Sequence, residues 1–333
     1  MLLNVKITMQ LTTPVPITPL QPAINYESSL VFLGSCFTEN IGSKMAYHGF
    51  KTCVNPFGII FNPHSLLVLL ERSLSSDLFT LEDVETHFSY LAHSDLNGST
   101  RDAVLNNLNT AGTLLTQQIK KASHVFITLG TAWVYEHIEQ QSIVANCHKQ
   151  PQGLFVKKLL SINEILKKLS DIISIIKNAK HDVTVTFTLS PVRHIKDGFT
   201  ENQRSKARLF EAIQAVVETQ KAQYFPAYEI VMDELRDYRF YGRDMIHLSE
   251  TGIELVWERF RESVISTTCS PIMKAVDKHR KLMAHRPSNV DLHLEQIEKS
   301  LISCNKNILK LNYEKFKNTN SRCFDDACHR FDL

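Results

Sequence analysis

Two short segments, far apart in the chain, carry side chains that could act together on a carbonyl group. Gly34-Ser35-Cys36-Phe37 follows the apolar run Leu30-Val31-Phe32-Leu33. A nucleophile at a strand-to-helix turn lies under the amide dipoles of the next helix, which favour an anion. A thiol so placed can have its pKa lowered and react as a thiolate. Cys36 is the nearer candidate and Ser35 the second. The plainer reading is a cysteine packed at a strand end, because free cysteines are among the most buried residues.

The second segment is Asp244-Met245-Ile246-His247-Leu248-Ser249, ahead of a helical pattern. Three residues apart, the Asp244 carboxylate can hold His247 Nδ1 and leave Nε2 free to act as a base. A surface Asp-x-x-His with no partner is the alternative. Gly130-Thr131-Ala132-Trp133 closes another apolar run. Its N–H groups and the Thr131 hydroxyl could face a developing oxyanion, or Gly130 could simply permit a tight loop. Asn55-Pro56-Phe57-Gly58 offers an amide and an N–H of the same kind, or only a turn. Asn146-Cys147-His148-Lys149 gathers reactive groups at a spacing that fits no metal site. Arg193-His194 reads as a solvated basic pair, with anion binding as the alternative.

These residues need a scaffold, and the hydrophobic pattern supplies one. Leu30 to Leu33, Val125 to Leu129 and Val183 to Leu189 are short β-branched or apolar runs, the pattern of buried parallel strands. Glu229 to Met232 reads as a further short strand. Helical patterns cover Thr38–Tyr47, the leucines from Leu66 to Leu70, Leu81–Phe88, Arg101–Lys121, Ile162–Ala179 and Glu201–Ala222. Ser249 can cap a helix running to about Val264, and Lys51 to Pro63 reads as irregular. Alternating strands and helices argue an α/β domain with a largely parallel sheet. Chemistry collects at the carboxyl ends of such strands, which puts Cys36, Gly130 and Ser190-Pro191 on one rim.

The 333 residues suffice for one large domain or two small ones, at roughly 100–200 residues each. Residues 1–268 read as the α/β domain, and 269–333 as a polar, Lys-rich helical extension ending in a loose tail from Ser321. A net charge of +2 gives no electrostatic case for nucleic acid or an anionic membrane as main partner. No window approaches the ~18 apolar residues of a membrane span, and the first residues do not read as a signal peptide. Seven scattered cysteines without a CxxC pair suggest a reduced, cytoplasmic protein lacking a disulfide framework or zinc site.

Phe32-Leu33-Gly34-Ser35-Cys36-Phe37-Thr38-Glu39-Asn40 closely resembles the motif for which the GSCFA family is named. Asn55-Pro56-Phe57-Gly58, Leu129 to Trp133, Asn146 to Lys149, Ser190 to His194 and Asp244 to His247 resemble that family's other blocks, in the same order. The resemblance covers most of the chain and fades in the helical extension. The family is placed with SGNH-type hydrolases, which include esterases, lipases and carbohydrate O-acyltransferases or deacylases. It therefore implies a flavodoxin-like three-layer α/β/α sandwich. In the superfamily's Gly-Asp-Ser-Leu block the Ser is the nucleophile, so Cys36 takes its place and Ser35 that of the Asp. Ala132 stands where the superfamily's Gly-x-Asn block has its oxyanion Asn, leaving Thr131 or Asn55 as the replacement.

The expected enzyme hydrolyses or transfers an acyl ester of a small molecule or carbohydrate through an acyl-thioester on Cys36. His247 is its base, Asp244 the orienter, and the N–H groups of Cys36 and of Gly58 or Gly130 hold the oxyanion. No metal or cofactor is called for by this chemistry. Two rivals stand: Ser35 as the nucleophile, and an inactive scaffold that binds a glycan or protein. If the chain resides in a reducing compartment, alkylation without reductant followed by denaturation should label all seven cysteines. A native disulfide found by mass spectrometry would overturn that assignment.

Overall fold

In the computed structural model, residues 12–75, 78–219, 222–285, 296–297 and 299–300 are described. Strands β1 (Ser29–Gly34), β2 (Lys51–Val54), β3 (His124–Leu129), β7 (Thr184–Leu189) and β8 (Gln223–Tyr224) form one parallel sheet. Its order, β2-β1-β3-β7-β8, is the 2-1-3-4-5 arrangement of flavodoxin-like sheets. The order reverses between β1 and β3, where such sheets open a crevice at their carboxyl ends.

The central strands are buried on both faces, as their unbroken apolar runs require. Val31 and Leu33 of β1, with Val125, Ile127 and Leu129 of β3, face one core. That core is closed by α2 (Pro63–Leu74), α3 (Arg101–Lys121), α4 (Ile162–Ala179) and α5 (Phe199–Glu218). Leu30 and Phe32 face the other core, where Phe32 stacks on its register partner Phe126 at 4.9 Å between centroids. There α1 (Cys36–Tyr47) and α7 (Glu250–Val264) supply Phe37, Ile41, Met45, Val256, Trp257 and Phe260. The result is a three-layer α/β/α sandwich.

Local chemistry sets the helix boundaries. Ser161 and Glu164 form a reciprocal capping box on α4, whose Ile165, Leu169, Ile172, Ile173 and Ile176 form its buried stripe. Asn62 caps α2 ahead of Pro63, and Ser249 caps α7 as its position predicts. α8 (Ser270–Ala284) is helical, as expected of the C-terminal region, and its Met273 joins the core beside α7. The tail from Ser321 lies outside the described residues. Among those described, no helix is long and apolar enough to cross a membrane.

Several elements differ from the sequence reading. Lys51–Val54, expected to be irregular, pairs with β1 as an edge strand. Leu81–Phe88 is not a helix: only Leu81–Asp83 makes a turn, where Asp83 closes a capping box with Thr80 and pairs with Arg72. Glu229–Met232 is helical, not a strand, because Ile230 and Val231 are both buried against α7 in a turn begun after Pro226. Between β3 and α4, β4 (Trp133–His137), β5 (Ser142–Val144) and β6 (Phe155–Leu159) form a small antiparallel sheet with no sequence expectation behind it.

Gly34 fixes the site end of β1. Its φ is +131°, and a β-carbon there would fall inside the contact distance of the Thr128 carbonyl. Only glycine accepts both constraints. Gly34→Ala should therefore cost about 3 kcal/mol or more of unfolding free energy, read as a lower urea midpoint. A near-neutral result would show that β1 and β3 can part here at little cost.

Candidate functional site

The rim at the β1/β3 crossover is built from chain exits. β1 ends at Gly34, whose register partner is Thr128, and the Ser35 N–H donates to the Thr128 carbonyl at 3.1 Å. α1 then begins at once, with Ser35 as its N-cap residue and Cys36 as its first helical residue. Ser35 is buried, with its hydroxyl unpartnered among the described residues, whereas Cys36 is partly exposed. Of the two candidate nucleophiles, Cys36 is the one a substrate can reach.

Burial, not the helix dipole, governs the Cys36 thiol. Burial pushes its pKa up and the nearby Glu39 carboxylate adds to the rise. The N–H groups of Phe37 and Cys36 and the charge of Lys206 pull the other way without prevailing. Burial thus opposes the lowering that a helix N-terminus can bring, and it favours the protonated thiol.

Asp244 and His247 pair as their spacing predicts. Asp244 Oδ2 lies 2.7 Å from His247 Nδ1, and Oδ1 accepts the N–H groups of Ile246 and His247 at 3.0 Å each. These three hydrogen bonds, the imidazole's first, lower the Asp244 carboxyl to about 2. Both side chains are substantially exposed, on a loop clasped by Gly242 N–H to His247 O and Ser249 N–H to Phe240 O. No hydrogen bond joins His247 to Cys36 among the described residues.

The expected oxyanion donors are already engaged. Asn55, in the left-handed region at φ 41°, accepts the Gly34 N–H at 2.8 Å and donates to Glu39. The Gly58 N–H donates to Asn55 O and the Gly130 N–H to Phe61 O, both at 2.8 Å. Thr131 Oγ1 accepts the Trp133 N–H and hydrogen-bonds with Ser205. The Gly58 and Gly130 N–H groups are therefore taken up in the rim's own structure, and Asn55 and Thr131 are held in its network. Among the described residues, no group of three His, Cys, Asp or Glu could hold a metal ion.

Two neighbours carry more than the sequence suggests. Lys206 of α5 is fully buried and donates to Gly130 O at 2.8 Å and Ser190 O at 2.7 Å, bridging the exits of β3 and β7. Burial brings its pKa down to about 7, and the nearby Cys36, when ionised, opposes that fall. It lies in the buried stripe Asn202, Ser205, Lys206, Leu209, Ala212, Ile213, Val216. A lysine in register with an apolar stripe is the signal that reveals it. Nor are Arg193 and His194 a solvated pair. Arg193 donates to Met245 O and lies over the Tyr238 and Tyr241 rings. His194 is mostly enclosed, against Phe61. Cys147 and His148 belong to a separate cluster in which His148 Nε2 meets the carbonyls of Ser89 and Ala92.

Compared with known proteins, the chain matches the GSCFA family over residues 29–260. No curated protein matches it. A similar solved structure is the lipopolysaccharide acetyltransferase periplasmic domain of Salmonella ser. Paratyphi A. It is 12% identical over 73% of this chain and 86% of that one, with a TM-score of 0.35.

Lys206→Met keeps the apolar stem and removes the ammonium. A base whose pKa falls on folding binds fewer protons when folded, so its contribution to stability rises with pH between the two values. For Lys206 that window runs from about 7 to about 10. The unfolding free energy of the unaltered protein minus that of K206M should climb by about 1 kcal/mol per pH unit across it. Urea melts at several pH values measure the difference, and a flat line would show that Lys206 does not titrate there.

Proposed function

The chain belongs to the GSCFA family, and from the geometry of its rim we propose that it hydrolyses or transfers an acyl group through a thioester on Cys36. The observation that carries this reading is the Asp244–His247 pair, with Nδ1 held at 2.7 Å and Nε2 uncommitted among the described residues. Its loop is fastened by Arg193 to the segment leaving β7, on the rim that bears Cys36.

Because the resting thiol is protonated, His247 Nε2 takes the proton as sulfur attacks the acyl carbonyl. The S–C bond forms and the carbonyl π pair moves onto oxygen. When that pair returns, the bond to the leaving alkoxide breaks and the imidazolium returns the proton to it. Water or an acceptor hydroxyl then attacks the thioester, giving its proton to His247. Collapse of the second oxyanion expels the Cys36 thiolate, which is reprotonated. Ionised Asp244 holds Nδ1–H throughout, fixing the tautomer that leaves Nε2 able to accept. The resemblance to SGNH-type enzymes favours an ester substrate, and a sugar hydroxyl as acceptor where the group is transferred.

A second reading, a binding scaffold without turnover, is favoured by the raised thiol pKa and the lack of a hydrogen bond between Cys36 and His247. One experiment separates the two. Purified protein is incubated with p-nitrophenyl acetate and acetylated sugars, and Cys36 is examined by mass spectrometry for a trapped acyl group. Cys36→Ser should keep the fold and lose a factor of about 10³ or more in turnover. Ser35→Ala should cost less, since Ser35 is buried under the turn. Reversal of the two mutants would make Ser35 the nucleophile; no acylation of the unaltered protein would favour the scaffold.

A further inference from the structure

An acyl-thioester mechanism needs a donor for the oxyanion besides the N–H groups that begin α1. The side chains and glycines that the sequence offers for this task already hold other partners: Asn55 holds Gly34 and Glu39, Gly58 holds Asn55, Gly130 holds Phe61, and Thr131 holds Ser205 and Trp133. His194 is different. No hydrogen bond from its ring to another described residue is made, and its position is fixed through its backbone, whose N–H donates to Asn202 Oδ1 at 2.8 Å.

The sheet register puts that ring on the rim that bears the nucleophile. Gly34 pairs with Thr128, so Cys36 and Gly130 each lie two residues beyond the last β1–β3 pair. Gly130 leaves room for the imidazole: an alanine β-carbon there would come 3.2 Å from His194 Nε2 and 3.0 Å from Phe61 Cβ. Phe61 supports the ring from the side, at 5.1 Å between centroids.

We propose that His194 is a further catalytic residue, its Nε2–H donating to the acyl carbonyl oxygen as that oxygen becomes an anion. It would fill the role that a side-chain amide fills in the Gly-x-Asn block, where this chain has Ala132. The assignment rests on the acyl-thioester reading. Its charge state suits the task. Burial first, then the charges of Lys206, His247 and Lys157, bring the imidazole pKa down to about 4 against the opposing pull of Asp197. A neutral imidazole at ordinary pH donates a hydrogen bond without giving up its proton.

The test separates attack on a carbonyl from attack on a saturated carbon. Acylation of Cys36 by p-nitrophenyl acetate, followed in a single turnover by p-nitrophenolate release and intact mass, builds an oxyanion. Alkylation by iodoacetamide does not. His194→Phe should slow acylation by about 10²–10³-fold and leave alkylation unchanged. His194→Gln, which restores an N–H donor, should recover part of the loss. Gly130→Ala, with His194 present but its ring displaced, should reproduce the split and serves if H194F does not fold. Unaltered acylation in H194F or G130A overturns the assignment alone. Equal slowing of both reactions also overturns it, because His194 would then act on the thiol. If the unaltered protein is alkylated at Cys36 but never acylated, the acyl-transfer reading falls and this assignment with it.

Discussion

Everything on the rim depends on how closely β1 passes β3 at its carboxyl end. Gly34 has no side chain to hold the strands apart, and its φ of +131° turns the chain so that the Ser35 N–H reaches the Thr128 carbonyl. That bond ends the strand and starts α1 one residue later, with Cys36 as its first helical residue. Beyond this point the sheet ladder stops, and its polar groups need other partners. Asn55 takes the Gly34 N–H from the β2 side. Lys206 takes the carbonyls of Gly130 and Ser190 from beneath. The crossover is thus closed by side chains reaching in where strand pairing ends.

Closure has an electrostatic consequence. Burial raises the Cys36 thiol, lowers the Lys206 ammonium and lowers the His194 imidazole, so all three are pushed toward their uncharged forms. The helix N-terminus does favour a thiolate, but a dipole effect of about 0.3–1 kcal/mol is easily outweighed by desolvation of a charge and by the adjacent Glu39. Asp244, in contrast, stays ionised because it is solvated and accepts three hydrogen bonds. A preformed thiolate–imidazolium pair is disfavoured at such a rim. Proton transfer coupled to attack on the substrate suits it better.

The sandwich was legible because its strands are continuous apolar runs and its helices carry apolar stripes. Val125 to Leu129 and Ile162 to Ala179 match the observed β3 and α4 within a residue. Edge strand β2 was hidden because Lys51 to Val54 is short, has one fully buried residue, and runs straight into Asn55-Pro56-Phe57-Gly58. The Asp244–His247 contact followed from spacing, since three residues are local enough for one turn to fix. The donors were not legible. Whether the N–H of Gly58 or Gly130 is free depends on the Asn55 and Phe61 carbonyls, which lie in loops whose paths leave no periodic trace. Lys206 and His194 matter for where they are buried, and burial of a charged residue type runs against what composition suggests.

Cys36 and His247 are held by different means. Cys36 is fixed to the sheet through Gly34 and α1, whereas His247 rides on an exposed loop with Met245 in the left-handed region at φ 58°. That loop is secured internally by its own backbone bonds and externally by Arg193, which grips Met245 O and lies over Tyr238 and Tyr241. Arg193 in turn follows Ser190, whose carbonyl is held by Lys206, and precedes His194, whose ring rests on Gly130. One short segment leaving β7 therefore positions both the Asp244–His247 loop and the His194 ring beside Gly130. A lysine buried beneath the rim, near enough to Cys36 for their charges to interact, is what anchors that segment. The path of β7's exit, more than the Asp-x-x-His spacing itself, fixes where His247 stands on the rim relative to Cys36.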